Sequence, residues 1–168
     1  MIIRTETPKD FEAISQITFA AFNGKFHSGP PNEHLIILEL RKAGALSLSL
    51  VAELDGQAVG HVAFSIVTID GEDKGWFGLG PISVKPEFQK QGIGSKLINE
   101  GLSRIRAMRA KGCVLEGDPN YYHRFGFKSY PGFYYAGAPS AEYFMALPFY
   151  DDAPEGKVEF HPAFYTNV

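Results

Sequence analysis

Gln89-Lys90-Gln91-Gly92-Ile93-Gly94, followed by Ser95 and Lys96, is the stretch of this sequence best suited to chemistry. It lies between an apolar run, "GLGPISV", and the start of an amphipathic pattern. A plain connection there needs one glycine at most. The first amides of a helix lack partners within it and sit at the positive end of its dipole, which together suit a phosphate. Glycines let the backbone come close to such an anion, and Lys90 and Lys96 place positive charge on either side. The stretch reads either as an anion cradle or as a flexible turn with a glycine-rich helix start. Cys113 lies inside an apolar strand pattern and reads as a buried small hydrophobe rather than a nucleophile. His27, His34, His61, His123 and His161 are scattered, and none pairs at a metal-ligand spacing, so no metal site is assigned.

The elements that must position these residues follow from periodicity. "MIIRT" reads as a first strand. Thr7-Pro8 reads as N-cap and first helical residue, with Phe11, Ile14, Ile17 and Ala21 at helical spacing up to about Phe22. Asn23 to Asn32 is a Gly/Pro-rich loop, and a second helix is expected from Glu33 to Lys42 with Gly44 as its C-cap. A β meander comes next: Leu46 to Leu54 alternates at period two, Asp55-Gly56 is a hairpin turn, and "QAVGHVAFSIVTI" leads to a second turn at Asp70-Gly71. The third meander strand contains Pro81, which cannot donate to a ladder, so the strand should bulge or leave a neighbour there. A helix is expected from Gly92 to Ala110, a buried strand from Gly112 to Gly117, and a short helix from Asp118 to Phe125 with Asp118 as N-cap and Pro119 after it. Phe127 to Ser129 begins another strand, "AEYFMALPF" is one more, and Phe160, Phe164 and Tyr165 give the tail apolar surface to pack back. The order β-α-α-β-β-β-α-β-α-β-β describes a mixed α/β sheet in one domain spanning 1–168.

The bulk numbers narrow the function classes. Apolar residues make up 45% of the 168 positions, enough for a core, and the net charge of -3 argues against nucleic acid as partner. One cysteine allows no internal disulfide, which makes a reducing, cytoplasmic setting the expectation. The N-terminus lacks the apolar region of a signal peptide, and no apolar stretch approaches the ~20 residues of a membrane span.

Two phosphate-binding motifs fail on detail. The G-x-x-x-x-G-K-[ST] of a P-loop is absent, and a dinucleotide fingerprint needs a third glycine where Leu97 stands. The pattern that fits is Gln/Arg-x-x-Gly-x-Gly/Ala, here Gln89 to Gly94 directly after "LGPISVKPEF". With "GCVLEGDPNYYHRFGFKSY", a strand followed by Asn and then Tyr-x-x-x-Gly-Phe at Tyr122 to Phe127, the chain resembles the GNAT N-acetyltransferase family. Within it the chain is similar to the bacterial YhbS-like acetyltransferases, through "LGPISVKPEFQKQGIG", "GDPNYYHRFGF" and "EYFMALPF". The first 40 residues match only in pattern.

The resemblance implies the acyl-CoA N-acyltransferase fold, a mostly antiparallel twisted sheet with a parallel pair splayed at the cofactor site. It implies acetyl-CoA, or a close acyl-CoA, as donor and no metal. Gln89, Lys90, Gln91, Gly92, Ile93, Gly94 and Ser95 would hold the pyrophosphate, and Ile82, Ser83 and Val84 would run beside the pantetheine. Pro81 gives a physical reason for a gap there, or marks a simple edge kink. Asn120 matches the position that bonds the pantetheine arm, with a turn role as the alternative. Tyr122 matches the position near the thioester sulfur, where it would protonate the leaving thiolate; as a core aromatic it would only pack, and Tyr121 is the fallback acid. A backbone N–H near Val84 could steady the oxyanion. Glu116 lies near the end of the strand beside the cleft, and Glu33 and His34 near the acceptor side, but none is assigned as base. The acceptor is an amine met by "NGKFHSGPPNEH" and the aromatic "YPGFYYAGAPS"; a small-molecule amine, an amino acid derivative and a protein N-terminus or lysine are all open, a small molecule being favoured over a protein. A monomer or homodimer that neither binds nucleic acid nor enters a membrane is expected. The competing reading is an acyl-CoA sensor without chemistry.

Overall fold

The computed structural model describes residues 1–25 and 29–165. Phe26, His27 and Ser28, within the Gly/Pro-rich loop and the first acceptor segment, lie outside the described residues. Thirteen strands and α-helices follow in chain order: β1 (Ile2–Thr5), α1 (Phe11–Phe22), α2 (Glu33–Lys42), β2 (Leu48–Leu54), β3 (Gln57–Ile66), β4 (Thr68–Ile69), β5 (Trp76–Val84), α3 (Ile93–Ala107), β6 (Gly112–Glu116), α4 (Pro119–Tyr122), β7 (Phe133–Tyr134), β8 (Phe144–Pro148) and β9 (Gly156–Glu159). A six-stranded sheet runs β1-β2-β3-β5-β6-β8, with β5 and β6 its parallel pair and its other neighbours antiparallel.

Local chemistry accounts for most boundaries. Before α1, a single 3₁₀ turn over Pro8–Asp10 takes the place of the first α-helical turn, and the Asp10 carboxylate accepts the Thr7 N–H at 2.7 Å. Beyond α2, Gly44 at φ +67° lets Ala45 N–H reach Leu40 O at 2.9 Å and Gly44 N–H reach Arg41 O at 3.1 Å, a pair of bonds that closes a helix end. Asp55-Gly56 and Asp70-Gly71 both have positive φ, as a tight hairpin requires.

Two expectations change. The long run after Gln57 divides: β3 stays in the main sheet, while β4 joins β9 and β7 in a small second sheet ordered β4-β9-β7. Phe127 to Ser129 forms no strand; Lys128 makes one bridge to Ala146, with bonds of 3.1 and 2.8 Å.

The two faces of the main sheet are covered differently. Leu50, Val62, Phe64, Leu79 and Leu115 pack against Leu97, Ile98 and Ile105 of α3. Burying each such aliphatic side chain stabilises by ~1.5–3 kcal/mol. Gly60 and Gly101 allow the close approach: a Cβ on Gly60 would sit 3.1 Å from Leu97, and one on Gly101 would enter the ring of Phe64. The opposite face carries α1 and α2 over one half. The aromatic cluster of Trp76, Val114, Phe133, Phe144 and Phe160 covers the other half, so the tail does pack back. Beneath the helices runs a polar chain. Arg41 Nη2 donates to Glu6 Oε1 at 2.8 Å, Ser49 Oγ donates to the same oxygen at 2.6 Å, and Ser49 Oγ meets His61 Nε2 at 2.8 Å. Desolvation raises the Glu6 pKa, yet the bonds from Arg41 and Ser49 outweigh it and hold the carboxyl below its ordinary range.

Candidate active site

Pro81 does what its missing donor predicts. Between Val62↔Ile82 and Phe64↔Leu79, two steps along β3 face three along β5, so β5 bulges at Gly80-Pro81. On its other side β5 pairs with β6 only at Trp76↔Gly112, Phe77↔Cys113 and Gly78↔Val114, and the rest of β5 runs free of β6. Lys85 N–H is given to Val59 O at 2.8 Å, toward β3. Strand alternation therefore turns the N–H and C=O groups of Ile82 and Val84 away from β3, into the gap. Ile82 and Val84 side chains pack on the α3 side, whereas the buried Ser83 hydroxyl points to the other face and meets Thr18 Oγ1 at 3.1 Å. Of the three, Ser83 thus offers the gap no side chain.

At the end of this strand the chain makes the expected turn. A 3₁₀ turn over Pro86–Phe88 leads to Lys90 at φ +62° and Gly92 at φ +84°, and α3 starts at Ile93, one residue later than read from sequence. Lys96 N–H is the first donor of the helical ladder, to Gly92 O at 3.1 Å. The amides of Ile93, Gly94 and Ser95 stand outside that ladder. Gln91 and Gly92 are exposed, Gly94 and Ser95 half-exposed, and the first turn of α3 carries no acidic residue. Gln89 plays a different part from its neighbours. Its Nε2 donates to Val84 O at 3.0 Å, and its Oε1 accepts from Lys25 Nζ at 3.5 Å.

The far wall of the gap is α4 and the end of β6. Asp118 Oδ1 accepts the Asn120 N–H at 2.9 Å, which sets the turn, while the Asn120 side chain is exposed. Tyr121 and Tyr122 divide the mouth between them. The Tyr121 hydroxyl lies 3.1 Å from where a Cβ on Gly94 would be, against the α3 turn; the Tyr122 ring lies over Gly117, whose Cβ would meet Cε2 at 2.5 Å. Their rings are 5.0 Å apart and nearly perpendicular. Burial, then the neighbouring Tyr121, Cys113 and Asp118, push the Tyr122 pKa well above the ordinary phenol value, so the hydroxyl keeps its proton at neutral pH. Arg124 stacks on Tyr121 at 4.5 Å and donates from Nε to its carbonyl at 2.9 Å. Cys113 is fully buried and its thiol is pushed far up by burial, in keeping with a packing role.

Sequence reasoning missed Gly117, Tyr121 as the partner of Gly94, and Arg124; the adjacent tyrosines were the available signal. Of the aromatic loop, Tyr134 is half-exposed while Tyr135 packs on Phe160 and Phe144. A surface groove of about 490 Å³ between α1 and α2, lined by Phe11, Leu35 and Leu38 among others, shares no residue with the gap. Among the described residues no group of three or more His, Cys, Asp or Glu could hold a metal ion, and no helix is long and apolar enough to cross a membrane.

This fold recurs in known proteins. Residues 45–129 match the model of the acetyltransferase (GNAT) domain. The N-acetyltransferase YhbS of Escherichia coli K12 is 37% identical over 129 residues, 76% of this chain and 74% of that protein. The crystal structure of Escherichia coli YhbS in complex with CoA superposes with TM-score 0.90 and 32% identity, covering 98% of this chain and 92% of that one. A GNAT family acetyltransferase from Brucella melitensis, solved in complex with acetyl-CoA, superposes with TM-score 0.86 and 50% identity over 97% of both chains. A broken parallel pair, bare amides beyond it and relatives alike along most of their length lead to one conclusion: the chain belongs to the GNAT acetyltransferase family.

Proposed function

We propose that this chain is an N-acetyltransferase that moves the acetyl group of acetyl-CoA to a small-molecule amine by direct attack, with both substrates bound together. The observation that carries the reading is the run of β5 backbone left unpaired on its β6 edge and leading straight into the amide-bearing turn of α3. Amides from Gln91 to Ser95 suit a diphosphate, with Lys90 and Lys96 adding charge. The Ile82 N–H and C=O and the Val84 N–H face the gap as a strand-like row for a slender amide chain, while the Val84 C=O is held by Gln89, and Asn120 stands exposed on the opposite wall. A Gly94 side chain would crowd that entrance, since its Cβ would meet Tyr121 Oη at 3.1 Å and Val84 Cγ2 at 3.9 Å.

Acetyl-CoA supplies an activated acyl group. The amine nitrogen forms a bond to its carbonyl carbon, the carbon–sulfur bond breaks, and the proton shed by nitrogen leaves to water. The Val84 N–H, turned into the gap, can steady the oxyanion. Tyr122, held protonated by its surroundings, gives the departing thiolate its proton and takes one back from water. The relatives bound to CoA and acetyl-CoA support the donor. The test is an amine screen scored by free thiol: CoA released only when an acceptor is added supports the reading, whereas tight acetyl-CoA binding without release under any amine marks a sensor.

A further inference from the structure

Glu116 is the last residue of β6, two beyond the final β5–β6 pair at Val114, and so borders the gap. Val114 packs in the aromatic cluster and Leu115 on the α3 side, so alternation turns Glu116 toward the aromatics. That is the face opposite Tyr122, which packs with the α3 cluster. An aromatic wall begins where the strands part. The Phe160 ring lies 2.9 Å from where a Cβ on Gly78 would be, and Tyr135 meets Phe160 edge-on at 4.9 Å. The Tyr135 hydroxyl lies within electrostatic reach of Tyr165 and Glu116. Among the described residues no cation pairs with the Glu116 carboxylate, and none donates a hydrogen bond to it. It is open to the cleft, yet its neighbours remove enough water to raise its pKa.

We infer that Glu116 and Tyr135, the latter backed by the buried Phe160 ring, bind the acceptor, and that they select an ammonium with an apolar body and no carboxylate beside it. This rests on the acetyltransferase reading. A carboxylate without a counter-ion takes an ammonium through charge-assisted hydrogen bonds. Aromatic rings beside it favour the same cation and an apolar body. A carboxylate on the acceptor would meet Glu116 at like charge. The placement also suits the reaction: once the held ammonium has lost a proton to water, the free amine approaches from the face opposite the proton donor of the leaving thiol.

The test compares phenethylamine with phenylalanine, which differ by one carboxylate. Binding to the CoA-loaded protein is read by calorimetry and turnover by thiol release from acetyl-CoA. The wild type should favour phenethylamine by about tenfold or more in both, because the phenylalanine carboxylate is brought against Glu116 at like charge and weakens the contact its ammonium makes. Glu116→Gln should cut phenethylamine kcat/KM by ~10–100-fold, chiefly through KM, leave CoA affinity and melting temperature unchanged, and abolish the preference. Tyr135→Leu should raise KM for phenethylamine without restoring phenylalanine. A wild type that binds neither amine, or an unchanged preference in Glu116→Gln, overturns the inference. Thiol release with some other amine in either case leaves the acetyltransferase reading standing, while failure to bind CoA at all would bring that reading down.

Discussion

Replacing Gly92 by Val isolates the phosphate turn from the rest of the molecule. Gly92 sits at φ +84° with nothing within 4 Å of where its Cβ would be, so the new side chain meets no neighbour and the cost is conformational. Holding an L-residue in the left-handed region costs ~1–2 kcal/mol, more when it is β-branched. In a chain of this size that lowers the melting temperature by roughly 2–8 °C. The strain is relieved if the backbone swings out of this conformation, which re-aims the amides of Ile93, Gly94 and Ser95. Loss of two hydrogen bonds to a charged phosphate, at ~1.5–3 kcal/mol each, weakens CoA binding by about 10²–10⁴-fold. Gly56 supplies the control. It has φ +76° and equally open surroundings, but lies in the β2–β3 hairpin, so Gly56→Val should melt earlier by a similar amount and bind CoA normally. Calorimetric titration of CoA into both variants decides the matter. An unchanged Kd in Gly92→Val, or an equal loss in both variants, refutes the assignment of the turn.

Tyr122→Phe should lower kcat by ~10²–10⁴-fold with CoA affinity unchanged, and Tyr121→Phe should not; the reverse order in thiol-release assays would move the acid to Tyr121. His61 links stability to pH. It is fully buried and its pKa is pushed down to about 4 from 6.5, first by burial and with Arg41 adding, against the pull of Glu6 and Asp10. The unfolded chain takes up this proton near 6.5 and the folded one only near 4, so stability is complete above 6.5 and declines as pH falls, by up to ~3 kcal/mol. Urea midpoints should show that decline in wild type and a flatter profile in His61→Gln; parallel profiles would exclude His61 as its source. Gly101→Ala should destabilise by ~1–3 kcal/mol because its methyl enters the Phe64 ring. Phe64→Leu in the same chain should recover part of that loss in thermal melts, and simple additivity would show that the two residues do not compete for space.

Much of this architecture was legible because its signals are local. The Asp-Gly turns, the bounds of α2 and its glycine stop, the Asp118 cap and the turn before α3 each depend on a few adjacent residues. Pro81 announced a break in pairing for the same reason: a missing donor is a property of one residue. The second sheet was not legible, since β4 and β7 have two residues each and pair with β9, which lies far along the chain from β4. Phe127 to Ser129 reads as a strand in composition, but only one bridge forms because the chain after Gly126 crosses β8 at a single point. The site divided along the same line. The residues of the phosphate turn stood together in sequence, whereas the division of labour between Tyr121 and Tyr122 depends on which glycine each ring meets. The side on which Glu116 emerges depends on the register of β6 against β5.

The short contact between β5 and β6 divides the backbone pairing of the main sheet into two slabs, joined otherwise by side chains of the shared core. One slab is β1-β2-β3-β5 and the other β6-β8, and only three residue pairs join them edge to edge. A ligand lying along Ile82 and Val84 would act as an extra rung, stiffening the joint without altering either slab. Amide exchange at those two positions, and at the free end of β6, is therefore where occupancy should leave its mark.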